Sequence, residues 1–199
     1  MQPLPPIHGY WDSNKPQEKG DSSSQPMHIA VGQVASVWES IEDAFAYLFQ
    51  IFVEGKTHAA ARAYGAMASN SIRRDAITEA AKVFFVRSNV SNSDQEHFNL
   101  LMKHFQIGAS KRNEVIHAIV VGFTFDNVPH GYFLVPPNYN SRKTQPFVDM
   151  SIKDDKFNVF RSNYRFTSAD IVSLLSKLNV LHHSALEYCG HIAQTYSRS

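Results

Sequence analysis

The segment Lys111-Arg112-Asn113-Glu114-Val115-Ile116-His117 is the one place in this chain where reactive side-chain types crowd together beside an apolar stretch. An arginine guanidinium clamps phosphate oxygens, and a histidine moves a proton near neutral pH. On a helix, Asn113 and His117 share a face, being four residues apart, and the long Arg112 side chain reaches that side from further round. The combination suits phosphodiester chemistry. A helix beginning at Ser110 would add a second attraction, because Arg112 would then lie in a first turn whose backbone N–H groups and dipole favour an anion. The plainer alternative has Arg112 bonded to a helix terminus or an acidic neighbour and His117 simply packed.

Other groupings point less sharply. His97 and His104 lie seven apart, and His182, His183 and His191 decorate the end of the chain, but none has the His-Glu-x-x-His spacing of a zinc enzyme. No metal ligand is assigned and no cofactor is expected. Glu39, Glu42 and Asp43 read as the solvated face of an amphipathic helix, with a contact between Glu42 and Arg112 as the alternative. Arg73-Arg74 and Arg142-Lys143 read as solvated basic pairs unless they share a face with Arg112. Tyr132, Phe133 and Tyr139 read as a sheet face buried against helices rather than a platform for bases. The sequence has no Gly-rich phosphate loop, nucleophile elbow or paired-carboxylate motif, which disfavours nucleotide hydrolysis of the loop-dependent kind.

The elements that must position the motif are mostly helical. Val34, Trp38, Ile41, Phe45, Leu48 and Phe52 alternate steps of four and three, which predicts a helix over residues 30–54 with one apolar stripe. Gly55 is expected to close it and Thr57 to cap the next. Residues 59–85 predict a second helical region, rich in alanine and open to a break at Asn70-Ser71. Ser93 and Glu96 resemble a capping box, so a third helix is expected from there, burying Phe98, Leu101, Met102 and Phe105. Gly108 leaves two readings, a stop with a restart at Ser110 or a run straight through Val115, Ile119 and Gly122. Either makes 111–120 helical, and a buried strand over 115–121 is the alternative. Residues 131–135, 147–152 and 157–160 are short β-prone runs, separated by Pro136-Pro137 and Lys153-Asp154-Asp155-Lys156. Thr167 and Asp170 then cap a last helix carrying Ile171, Leu174, Leu178, Leu181, Ala185 and Tyr188.

The expected fold is therefore mainly α: an antiparallel helical bundle with a small antiparallel β insertion, at about 130–165, before the C-terminal helix. Residues 1–28, with Pro3, Pro5, Pro6 and Pro16 beside Ser22-Ser23-Ser24, predict an irregular arm that Ile7, Tyr10 and Trp11 could pin, and 29–199 a single domain. The 19 basic and 18 acidic residues balance to +1, so any polyanion site must be local. Cys189 is the single cysteine and fits a reducing compartment. The first residues do not look like a signal peptide and no apolar run is long enough to span a bilayer, so a cytoplasmic protein with no membrane partner is expected.

Arg112, Asn113 and His117, placed after a helical bundle whose first helix carries Trp38-Glu39-Ser40-Ile41-Glu42, resemble the HEPN superfamily. Its ribonuclease members carry an arginine, usually a polar residue, and a histidine after a short spacer. The resemblance spans residues 30–125 and leaves the β insertion outside. It implies a homodimer that cleaves RNA without metal, with Arg112, Asn113 and His117 as catalytic residues and Lys111 and Arg112 as RNA contacts. A toxin or phage-defence setting, with a protein partner such as an antitoxin, also comes from the resemblance alone. The alternative function is a non-catalytic binding or protein-interaction module on the same helices.

Overall fold

A computed structural model of the chain describes residues 3–139, 157 and 164–196. It is mainly helical, with a two-stranded antiparallel sheet ahead of the C-terminal helix. The elements in order are α1 (Gln25–Phe52), α2 (Ala59–Gly65), α3 (Asn70–Arg87), α4 (Asn92–Ile116), β1 (Ile119–Phe125), β2 (Val128–Val135) and α5 (Ser168–Tyr196). Contacts gather into two compact units, one drawn from 1–11, 36–110 and 177–199 and the other from 12–35 and 111–176. Among the described residues no helix is long and apolar enough to cross a membrane.

The first unit is an aromatic helical core. The expected α1 stripe is buried throughout, and Phe45 and Trp38 both pack on Phe105 of α4, with ring centroids 4.3 and 5.3 Å apart. Further along, Phe52 meets Phe84, Phe85 and Phe98. Helix α1 starts five residues earlier than its stripe predicts. Pro26 lies in the first turn, where its missing N–H has no partner to lose, and the His28 N–H bonds the Ser24 carbonyl. Residues 25–28 thus belong to the helix and not to the arm.

The helix ends show how local chemistry and packing share control. At the end of α1 it is Glu54, not Gly55, that adopts the left-handed conformation (φ 53°). The Gly55 N–H bonds the Gln50 carbonyl and the Glu54 N–H bonds that of Ile51, a Schellman closure. Gly55 is needed for space, since a Cβ there would come within 3.0 Å of Ala60. The Thr57 hydroxyl accepts the Ala59 N–H ahead of α2. The expected break falls just before Asn70, where Ser69 caps α3 by accepting the Ile72 N–H.

Helix α4 departs from expectation at both ends. Its cap is Ser91, whose hydroxyl accepts the Asp94 N–H and donates to the Asp94 carboxylate, so the box stands two residues before the one built on Ser93 and Glu96. Gly108 neither stops nor restarts it. A Cβ at Gly108 would lie 3.3 Å from Trp11 and Leu181 and 3.4 Å from Leu178, so the glycine is the seat for the Trp11 indole. That contact pins the arm as expected. The indole N–H donates to Nδ1 of buried His104 at 3.0 Å, and Nε2 of the same ring lies 3.0 Å from the Pro5 carbonyl. Because an indole only donates, Nδ1 must accept and Nε2 must carry the proton.

In the second unit β1 and β2 form a hairpin whose turn, Asp126-Asn127, has φ of 49° and 60° at its two central positions, the pattern of a two-residue primed turn. The register shifts between Phe123 and Thr124, so His130 bulges out of β2. The strand reading of the apolar run therefore prevails from Ile119, and only 111–116 of the 111–120 segment is helical. Phe123, Phe133, Val135 and Phe157 form the hairpin's core. The other edge of β2 pairs with Asp21 through Tyr132 and with Phe166 through Leu134. Thr167 and Asp170 cap α5 as expected, joined by Asp21, whose carboxylate accepts from the Ser168 N–H and hydroxyl at 2.7 Å. The runs 147–152 and 158–160 and the pair Arg142-Lys143 lie outside the described residues.

Candidate functional site

The motif occupies the last turn of α4 and the residue after it. Val115 is the inward anchor, 2% exposed, and the chain leaves the helix at His117, whose N–H still bonds the Asn113 carbonyl at 3.3 Å. With Val115 turned inward, Asn113 and His117 come to the exposed side together, as their spacing requires. Arg112 is half-buried, and its Nη1 donates to the Asn113 Oδ1 at 3.0 Å. The guanidinium and the amide are thus coupled, which leaves the Asn113 NH₂ as that side chain's outward donor.

The helix end alters the electrostatics. Because α4 runs on through Gly108, Arg112 sits at a C-terminus, where carbonyl oxygens gather and the dipole is negative. The anion site expected from a helix starting at Ser110 is therefore absent, and a phosphate here would be held by side-chain cations. The same dipole favours those cations in the empty site. Lys111 is partly neutralised: its Nζ lies 3.3 Å from the Glu114 carboxylate and 3.2 Å from the Ser13 hydroxyl.

Two residues that support this turn left no signal in the sequence. Tyr164 donates its hydroxyl to the Glu114 carbonyl at 2.8 Å and stacks on Phe166, with centroids 4.6 Å apart. Burial, reinforced by the Glu114 charge, pushes its phenol up to about 12, so it stays a neutral donor across the working range. Ser13 is the other. Both come from sequence positions 50 or more residues away, beyond the reach of any helical periodicity.

Glu42 has its partners within the helical unit. It is buried on α1 and accepts from Arg73 at 3.2 Å and from the Tyr64 phenol at 3.3 Å. Burial and the Glu42 charge raise the Tyr64 pKa. Arg73 is thereby held in place and Arg74 pairs with Asp75 at 2.9 Å, so this basic pair is internally neutralised. The aromatic trio divides: Phe133 is fully buried, Tyr139 is 84% exposed and Tyr132 lies between. His191 pairs with Asp94 at 3.0 Å, and the His97 ring stacks on Tyr188, so both belong to the helical core. Among the described residues no three His, Cys, Asp or Glu side chains gather as a metal site.

Comparison of the chain with protein-family models, with curated proteins and with solved structures returned no match.

Proposed function

We propose that this chain is a metal-independent endoribonuclease of the HEPN type, acting as a homodimer in which two copies of the motif face one RNA strand. The observation that carries the reading is the joint exposure of Asn113 and His117 at the end of α4, with Arg112 tied to Asn113 beside them. His104, in contrast, is enclosed and bonded at both ring nitrogens.

The chemistry follows from these groups. One His117 takes the proton of a ribose 2′-hydroxyl as its oxygen attacks phosphorus. The P–O5′ bond breaks, and the protonated His117 of the partner subunit gives its proton to the leaving 5′-oxygen. Arg112 stabilises charge growing on the phosphoryl oxygens. A single protomer brings one motif histidine for two proton transfers, which is why the reading requires the dimer.

The test is cleavage of an RNA panel in excess chelator, with product ends analysed. The expected products carry a 2′,3′-cyclic phosphate, DNA is resistant, and His117→Ala lowers the rate by about 10²–10⁴-fold. Cleavage by the His117→Ala protein at the wild-type rate, or none by wild type on any RNA, would overturn the proposal. The non-catalytic binding module would then stand, a reading that the neutralised Lys111 and the unfavourable helix end also fit.

A further inference from the structure

The helical unit contains a cavity of about 610 Å³ that shares no residue with the motif. Its volume falls inside the range of about 300–1,000 Å³ typical of small-molecule sites. It opens where α1, α3 and α5 end, and its lining mixes apolar, aromatic and charged residues. The apolar part is Ile51 and Phe84, both largely buried, with Ala193. Tyr47 and Tyr196 bring two further rings. The Tyr196 ring is preset, because its hydroxyl donates to the Asp94 carboxylate at 2.7 Å and accepts the Ser91 N–H at 3.2 Å. Tyr47, in contrast, is 46% exposed.

Polar groups ring this aromatic slot. Gln50 offers both a carbonyl and an NH₂, the pair that reads a surface alternating donors and acceptors. Glu54 and Arg87 pair and offset each other, so the net positive charge of the lining is that of Lys56. Aromatic rings stack planar heterocycles of any identity, an amide reads their edge, and a cationic rim takes a phosphate. An aliphatic anion would leave the amide unused, and a neutral aromatic would leave the Lys56 cation unused.

We infer that this cavity is a binding site for a nucleoside monophosphate, with the base against Tyr47 and Tyr196 and the phosphate at Lys56. The inference does not depend on the nuclease reading, since it draws on none of the motif residues.

Titration calorimetry of the full chain with adenosine, guanosine, cytidine and uridine 5′-monophosphates tests it. At least one is expected to bind with a Kd below about 1 mM, with its nucleoside and inorganic phosphate each at least about tenfold weaker. Lys56→Glu and Tyr47→Ala alter exposed side chains, so both proteins should keep the wild-type melting temperature while losing about tenfold or more in affinity. A 5′-phosphorylated oligoribonucleotide, titrated into the His117→Ala protein to avoid cleavage, separates the two sources of the ligand. Binding tighter than the monophosphate that Lys56→Glu in the same protein weakens identifies an RNA end, whereas weaker binding, or tight binding that Lys56→Glu leaves unchanged, identifies the free nucleotide. Absence of monophosphate binding below 1 mM, equal binding of inorganic phosphate alone, or unchanged affinity in both variants would overturn the inference.

Discussion

At the first turn of α4 the Asp94 carboxylate accepts hydrogen bonds from Ser91 and Tyr196 and meets the His191 ring, and its main-chain carbonyl accepts the Tyr188 phenol. At the last turn of the same helix Asn113 and His117 are exposed, and their nearest ties are to adjacent residues of the motif. The contrast separates two uses of polar side chains. The first turn holds a buried acid through Ser91 beside it and through Tyr188, His191 and Tyr196 of α5, an arrangement that serves stability. The last turn leaves donors and an imidazole facing outward, an arrangement that adds little to stability and leaves chemistry available.

Burial around the first half of α4 should give the largest effect. Phe45→Ala removes a fully buried ring lying against Phe105, and a loss of about 3–5 kcal/mol is expected in denaturant unfolding. A loss under about 1 kcal/mol would mean that this core tolerates a cavity and that the contrast between the two ends is shallower than described.

Asp94→Ala comes next, at about 2–4 kcal/mol, because it removes the acid of the capping box together with its charged hydrogen bonds. The pH dependence has a definite sign. Burial pushes the Asp94 carboxyl up, but the bonds from Tyr196 and Ser91 and the His191 ring outweigh it and hold it below the ordinary carboxylate range. Its contribution is thus present above the unfolded value, about 3.9, and is lost as pH falls through the lower folded value. The Asp94→Ala protein should show a flatter acid-unfolding curve below pH 4, and an unchanged curve would remove Asp94 from the account.

His104 predicts a smaller effect in a different window. Burial lowers its pKa, partly offset by the Pro5 carbonyl, so the folded state holds the ring neutral where the unfolded chain, with a value of about 6.5, already binds a proton. Stability should therefore decline as pH falls below about 6.5. Burial lowers His97 and His182 in the same direction, so His104→Phe should remove part of that slope rather than all of it. The melting temperature measured from pH 7.5 to 5 checks this. A slope identical to wild type would show that the Trp11–His104 bond tolerates protonation.

The smallest expected change is at the other end of the helix. Asn113→Ala and His117→Ala should each alter unfolding free energy by no more than about 0.5 kcal/mol, as exposed positions generally do. A loss above about 2 kcal/mol in either would make the motif a structural feature and weaken the proposed chemistry at its root.

What the amino-acid sequence determined by itself is what one helical turn can encode. The stripe from Val34 to Phe52 had to be buried because apolar side chains at steps of three and four present one face. Thr167 and Asp170 lie close enough along the chain to find each other unaided. The shared exposed face of Asn113 and His117 follows from the same helical geometry. Tertiary structure decided the rest, because local patterns there were degenerate. Ser91-Asn92-Ser93-Asp94 offers several capping frames, and the choice of Ser91 is consistent with Tyr188, His191 and Tyr196 converging on Asp94. The run from Val115 to Val121 fits a helix or a strand by hydrophobicity alone, and pairing of Ile119–Phe125 with Val128–Val135 across the Asp126-Asn127 turn makes it a strand from Ile119 onward. Gly108 could have ended a helix, but the Trp11 indole, 97 positions earlier in the chain, occupies the space its missing side chain leaves. The helix therefore continues, and Arg112 falls at a C-terminus instead of an N-terminus.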